Sequence, residues 1–71
     1  MFGKLKTVTV SVEGMMCNNC KAHVERALLA LKGVKSAEAS VENKNVVIVA
    51  KESVSDDAIN AAIITAGYRV V

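Results

Sequence analysis

The sequence predicts an α+β domain in which a four-stranded antiparallel sheet carries two helices on one face. The hydrophobic period alternates between two and about 3.6 residues, and the elements follow in the order strand, helix, strand, strand, helix, strand. Of the 71 residues, 52% are hydrophobic but only 3% are aromatic, so Val, Ile, Leu and Ala must build the core. A chain of this length has room for a single domain, expected over residues 1–71.

Alternation of apolar and polar residues defines the strands. The first strand is predicted from Lys4 to Glu13, with its buried face formed by Val8, Val10 and Val12. The same alternation predicts a second strand over residues 34–41. A polar turn at 42–45 and the β-branched run 46–49 complete a hairpin, and residues 68–71 form a short last strand.

Helical spacing of apolar residues predicts the first helix from about Asn19 to Lys32. Its buried stripe comprises Cys20, Val24, Ala27, Leu28 and Leu31. Asn18 or Asn19 is expected to cap this helix, and Gly33 to end it. The second helix starts within residues 53–57, with a serine cap and two aspartates in the first turn, and Gly67 ends it. The whole order is that of the ferredoxin-like βαββαβ fold.

Charge and hydropathy exclude two classes of partner. The chain has nine Lys and Arg residues and seven Asp and Glu residues. The basic residues are scattered along the chain and form neither a basic arm nor a patch interleaved with aromatic residues, so nucleic acid is not expected as a partner. Apolar stretches such as Val46 to Ala50 are too short for a membrane span or a signal peptide. We therefore expect a cytoplasmic protein with no membrane insertion. A free-standing protein is favoured, and a domain cut from a longer chain is the alternative.

The two cysteines lie together in the segment GMMCNNC, from Gly14 to Cys20. In a reducing compartment, a single CxxC pair indicates a metal site or a redox pair rather than a structural disulfide. Cys17 is expected in the loop after the first strand. Cys20 is expected in the first helical turn, where free N–H groups and the helix dipole favour thiolate over thiol. Lys21 adds a positive charge nearby.

The possible metal ligands in this chain favour a soft ion that the protein binds and then passes on. Two cysteines and one histidine are too few for a structural zinc site, which needs four protein ligands. Soft thiolates select ions such as Cu(I), which two sulfurs alone can hold while leaving room for a sulfur from another protein. His23, three residues after Cys20, is the candidate third ligand and would suit Zn(II) or Co(II). The alternative for His23 is a surface or partly packed histidine.

The segment from Gly14 to Cys20 resembles the GMxCxxC motif of the heavy-metal-associated domain family. The similarity continues through further segments, at residues 24–25, 27–28, 31–34, 62–63 and 66–68. The resemblance implies that Cys17 and Cys20 bind Cu(I), and that Met15 packs under the loop. Members of the family are copper chaperones, N-terminal modules of copper-transporting P-type ATPases and a periplasmic mercury-binding protein.

Two other residues bear on how the site works. Met16 stands where the family usually has Thr or Ser, and it either is exposed to solvent or shields the metal with a soft thioether. Tyr68 is either an aromatic lid on the core or, as the resemblance implies, a ring beside the metal that limits solvent and hydrogen-bonds a thiolate.

The expected function is that of a copper chaperone, which is not an enzyme and passes Cu(I) on by stepwise thiolate exchange. Expected partners are a copper-transporting P-type ATPase or its N-terminal domain, a copper-responsive regulator, or a second copy bridged by the metal. Lys21 and Arg26 are candidates for contacting an acidic patch on the partner.

Three other functions stay open from the sequence. The first is a regulatory metal-binding module of a P-type ATPase, and the second is a carrier of Hg(II), Zn(II) or Cd(II). The third is a thiol-disulfide redox protein, which is disfavoured because Asn18 and Asn19 separate the cysteines without a proline and because the chain is short.

Overall fold

The structure, a computed structural model, describes residues 4–16 and 18–71. Its elements are β1 (Leu5–Glu13), α1 (Asn18–Leu29), β2 (Val34–Ser40), β3 (Asn45–Lys51), α2 (Asp56–Thr65) and β4 (Arg69–Val70). The strands are ordered β2-β3-β1-β4, and each neighbouring pair is antiparallel. The predicted ferredoxin-like fold is therefore confirmed.

The core lies between the sheet and the two helices. Alternate residues of β1 and β3 face the helices, and both helices contribute fully buried aliphatic side chains. The largest fully buried residues are Leu28, Ile48, Ile59, Ile63, Val12, Val24 and Val46. Burying each such side chain contributes about 1.5–3 kcal/mol, so this aliphatic layer is the main favourable term in folding.

The first helix differs from its prediction at both ends. Asn18 and Asn19 both lie within α1, so neither precedes the helix as a capping residue would. The helix ends at Leu29 rather than near Lys32. The reason is a tighter turn after the helix, in which the Leu31 N–H donates to the Leu28 carbonyl at 3.0 Å.

Gly33 consequently closes the connection to β2 instead of ending α1. Its φ is +97°, a conformation that suits glycine, and a Cβ added there would lie 2.7 Å from Val54 Cγ2. A side chain at position 33 is thus opposed by both the backbone and the core.

The second helix begins and ends as the sequence predicts. The Ser55 hydroxyl accepts a hydrogen bond from the Ala58 N–H at 3.1 Å, and two aspartates follow in the first turn. At the other end the Gly67 N–H donates to the Ile64 carbonyl and the Tyr68 N–H to the Ile63 carbonyl. With Gly67 at φ +103°, this is the paired hydrogen-bond pattern of a glycine-terminated helix. It fixes the backbone of Tyr68 relative to α2.

No helix in residues 4–16 and 18–71 has both the length and the apolar composition needed to cross a membrane.

Candidate metal centre

The loop between β1 and α1 carries the cysteine motif. It opens at Gly14, whose φ of +105° favours glycine. The next two side chains differ sharply in exposure: Met15 is 5% exposed and belongs to the core, whereas Met16 is 83% exposed. Packing of Met15 anchors the loop on the core, and the Met16 thioether is available to solvent. Cys17 lies outside the described residues, so its position in the loop stays a prediction.

Cys20 lies in the first turn of α1, as the sequence predicts. Its side chain is partly buried and packs against the core. The first-turn N–H groups of a helix have no partner within the helix, and they favour an anionic sulfur at this position. Lys21 follows in the same turn. The role of Cys20 as a metal ligand stays a prediction.

Tyr68 is brought to the loop by the end of α2. Its ring is partly buried and packs against the core, and a Cβ added to Gly14 would lie 3.3 Å from Tyr68 Cδ1. The ring therefore borders the space that a side chain at Gly14 would occupy, at the start of the cysteine loop. Packing of the ring agrees with the interpretation of Tyr68 as a lid on the core, whereas its role beside a bound metal stays a prediction.

His23 lies one turn after Cys20 on α1 and is exposed. Its Nδ1 is 3.3 Å from the Tyr68 hydroxyl oxygen, and the two rings meet edge to face with centroids 5.7 Å apart. The Tyr68 hydroxyl donates to a neutral Nδ1, or a protonated Nδ1 donates to the hydroxyl oxygen. Within the described part of the chain, no three His, Cys, Asp or Glu side chains are placed to hold a metal ion. The proposed ligand role of His23 stays a prediction.

A groove of about 700 Å³ runs between α1 and α2, close to His23. Its floor and walls are mainly alanine side chains, while Arg26 and His23 are its ionisable lining residues. A smaller cavity of about 230 Å³ lies beside the loop, with Met16 and Lys44 among the residues that line it. The groove between the helices is therefore mostly apolar, while the cavity beside the loop has both an acidic and a basic lining residue, Glu13 and Lys44.

The fold and the cysteine-bearing loop are those of a known class of protein. The model of the heavy-metal-associated domain matches residues 9–69, so the chain belongs to the heavy-metal-associated domain family. It is 43% identical over 63 residues to the copper chaperone CopZ of Staphylococcus aureus (strain bovine RF122 / ET3-1), covering 87% of this chain and 93% of that protein. It is 41% identical over 61 residues to a mercuric reductase of Shewanella putrefaciens, covering 86% of this chain but 11% of that enzyme.

Solved structures give the same result. A CopZ metallochaperone superposes with a TM-score of 0.91 at 39% identity, covering 93% of this chain and all of that one. The water-soluble region of the P-type ATPase CopA from Bacillus subtilis superposes with a TM-score of 0.91 at 29% identity, covering this whole chain and 48% of that region.

These relatives define a metal-binding domain type that is generally not catalytic. The chain spans about a ninth of the length of the mercuric reductases it matches, so the similarity concerns only their heavy-metal-associated portion.

Sequence reasoning placed the individual site residues near the loop but missed the contacts between them. The His23–Tyr68 hydrogen bond joins residues 45 positions apart, and no local pattern connects them. The available signal was indirect: His23 follows the motif by one helical turn, and Tyr68 follows the glycine that ends α2. Both therefore belong at the same end of the fold, although their mutual contact depends on tertiary packing.

Proposed function

We propose that this chain is a copper chaperone domain that binds Cu(I) through Cys17 and Cys20 and passes it to a partner protein without catalysing a reaction. The observation that carries the proposal is the cysteine pair at the junction of β1 and α1, with Cys20 in the first helical turn. Membership of the heavy-metal-associated family and similarity to CopZ support copper as the cargo. The functional domain is proposed to comprise residues 1–71.

Transfer proceeds by exchange of thiolates and involves no change of oxidation state. Two thiolates hold Cu(I) at low coordination number, which leaves room for a thiolate of the partner to bind the same ion. One sulfur of this chain then dissociates, a second partner thiolate binds, and the remaining sulfur leaves. The first-turn amides of α1 stabilise Cys20 as a thiolate both before binding and after release.

The neighbouring side chains suit a loop that exchanges its cargo. Met15 fixes the base of the loop in the core, so the loop has a rigid support. The exposed Met16 offers a soft thioether at the surface, where it can contact the metal or the arriving partner. Tyr68 covers the start of the loop from the α2 side and limits access of water.

The proposed partner is a copper-transporting P-type ATPase, in particular a soluble domain with the same fold. Similarity to the soluble region of CopA supports this choice, because related folds present their cysteine loops in related ways. Lys21 directly follows the motif in α1, and the exposed Arg26 lies in the last turn of the same helix. Both would meet acidic groups on the partner. A brief encounter suits a small, polar interface. A copper-responsive regulator and a copper-bridged second copy are further proposed partners, and the proposed compartment is the cytoplasm.

A carrier of Hg(II) is the second candidate function. It is favoured by the similarity to the heavy-metal-associated portion of mercuric reductases. Two thiolates in a surface loop also suit this soft ion, so the cysteine pair alone does not distinguish it from Cu(I). Zn(II) and Cd(II) carriers would need further ligands, for which His23 is the candidate.

The test is a competitive titration of the reduced protein with Cu(I), Zn(II) and Hg(II) against chelators of known affinity. We expect one Cu(I) per chain, bound far more tightly than Zn(II), and loss of tight binding in Cys17→Ser and in Cys20→Ser. The matched control combines Cys20→Ser with Ser36→Cys, because Ser36 is exposed on β2 and the variant keeps two thiols but separates them. Tight Cu(I) binding by this control, or a preference for Zn(II) by the native chain, would contradict the proposal.

A further inference from the structure

The contact between His23 and Tyr68 gives His23 a role that the cysteine motif alone does not define. We propose that His23 is a positioning residue that holds the Tyr68 ring against the cysteine loop and thereby slows the exchange of bound metal. The inference rests on the proposed function for its metal-exchange part, whereas the positioning itself is a property of the metal-free chain.

The backbone of Tyr68 is fixed before its side chain is considered. The Tyr68 N–H donates to the Ile63 carbonyl at 3.2 Å, within the hydrogen-bond pattern that ends α2. The orientation of the side chain depends on contacts other than this backbone pattern. The ring lies against Gly14, where the absence of a side chain allows the close approach.

His23 restrains the far end of that ring. Its Nδ1 lies 3.3 Å from the Tyr68 hydroxyl oxygen, and the imidazole edge contacts the phenol ring at an interplanar angle of 72°. A hydrogen bond and an edge-to-face contact together favour one orientation of the tyrosine. The ring thus lies between Gly14 at the start of the loop and His23 of α1.

The helix that supplies His23 also supplies Cys20. Residues three apart on a helix lie on neighbouring parts of the same face, so the hydrogen bond connects Tyr68 to the face of α1 that carries Cys20. The ring therefore extends from the first residue of the loop to the helix after it. A thiol that approaches the loop from this side must first displace the ring.

This arrangement separates a positioning role for His23 from a ligand role. A ligand would act on the metal whether or not residue 68 has a hydroxyl group. A positioning residue acts through the Tyr68 hydroxyl group. Substitution of His23 should therefore have no further effect in a variant that already lacks this hydroxyl group. A double-mutant cycle distinguishes the two.

The experiment compares the native chain with His23→Phe, Tyr68→Phe and the double variant. The measurement is the rate at which Cu(I) passes from each loaded protein to an excess of a competing chelator. From the strength of one hydrogen bond, we expect each single variant to lose Cu(I) roughly two- to tenfold faster, and the double variant to lose it no faster than either. His23→Gln, which keeps a group able to hydrogen-bond the hydroxyl, is expected to restore part of the native rate.

A second measurement uses the metal-free protein and needs no cargo. Nuclear Overhauser contacts between the Tyr68 ring and the Gly14 α-protons are expected in the native chain and weakened in His23→Phe. Thermal unfolding verifies that each variant is folded. Tyr68→Phe provides the same test if His23→Phe does not fold, because it removes only the hydroxyl group that His23 contacts.

Two results would overturn the inference. In the first, the rate increases caused by His23→Phe and by Tyr68→Phe multiply in the double variant, which would show that His23 acts independently of Tyr68. In the second, His23→Phe leaves both the contacts between the Tyr68 ring and Gly14 and the rate of Cu(I) loss unchanged, which would show that His23 does not position Tyr68. Absence of Cu(I) binding by the native chain would instead refute the proposed function, while the metal-free ring contacts would still decide whether His23 positions Tyr68.

Discussion

At the scale of single residues, Gly14 controls how closely Tyr68 approaches the loop. Its φ of +105° is a conformation that side-chain-bearing residues rarely adopt, and the space where a Cβ would stand is bounded by the tyrosine ring at 3.3 Å. Gly33 has a similar φ of +97° and a close neighbour in Val54, but it lies at the start of β2, at the other end of the sheet. Substitution of each glycine would strain the backbone, but only substitution of Gly14 would also affect the loop. Comparing the two substitutions therefore distinguishes the two effects.

We predict that Gly14→Ala and Gly33→Ala both lower the free energy of unfolding, by roughly 1–3 kcal/mol from the forced backbone conformation. Only Gly14→Ala is expected to displace the Tyr68 ring and to accelerate loss of Cu(I) to a chelator. Urea unfolding measures the first effect, and the chelator-transfer rate measures the second. An unchanged transfer rate in Gly14→Ala, or an equal acceleration in Gly33→Ala, would show that the ring does not cover the loop.

Several residue-level features could be predicted from the sequence because their causes are local. The position of Cys20 in the first turn follows from the helical period that begins beside it. A serine cap within residues 53–57 follows from the two aspartates in the first turn, and the structure shows that the cap is Ser55. The close approach of Tyr68 to Gly14 could not be predicted. It depends on how the end of α2 packs over the end of β1, and no local pattern specifies that distance.

At the scale of elements, the edge strand β2 is held by a side chain of α1. The Ala39 N–H donates to Glu25 Oε2 at 2.8 Å. Because β2 is the outermost strand on its side of the sheet, an N–H pointing away from β3 has no strand partner there. The Glu25 carboxylate accepts this hydrogen bond and thereby links α1 to the edge strand β2.

We predict that Glu25→Ala lowers the free energy of unfolding by about 1–3 kcal/mol, since it leaves a partly buried N–H without its charged acceptor. Glu25→Gln keeps an acceptor oxygen and should cost less. Glu38→Ala is the matched control, because Glu38 is an exposed glutamate on β2 itself. Urea unfolding of the three variants provides the comparison. Equal effects of Glu25→Ala and Glu38→Ala would contradict a specific role for the contact with Ala39.

The kinds of element and their order could be predicted, whereas the ends of α1 could not. Alternation along β1 and the helical stripe through Val24 and Leu28 are strong periodic signals, and both describe the structure. The end of α1 was predicted at Lys32 because Gly33 is a typical helix terminator. In the structure the Leu31 N–H donates to the Leu28 carbonyl, three residues earlier, so the chain leaves the α-helical path before it reaches Gly33. Such a choice between hydrogen-bond partners has no periodic signature.

At the scale of the whole molecule, the fold supports the loop that we propose gains and loses a metal ion. The core is formed by aliphatic side chains from both helices and from the strands, so its cohesion comes from apolar burial. For domains of this length, the free energy of unfolding is roughly 4–11 kcal/mol. Metal exchange can therefore be confined to the loop and its neighbours, while the sheet and helices keep their packing.

The fold class was predictable at this scale because the element order and a single hydrophobic face per element leave few arrangements. The lateral placement of α2 beside α1 was harder to anticipate. Alanines line much of the groove between the helices, and such small side chains specify the distance between two helices only weakly. The meeting of His23 with Tyr68 depends on that placement.

The most direct test of the central claim is the rate of Cu(I) transfer from the loaded chain to a soluble two-cysteine acceptor domain of the same fold. We predict a rate that rises with acceptor concentration, because the incoming thiolate must bind the metal before a sulfur of this chain departs. The predicted transfer disappears when either Cys17 or Cys20 is replaced by serine. A rate independent of acceptor concentration would mean that copper dissociates before it is captured, and it would contradict direct exchange between the two proteins.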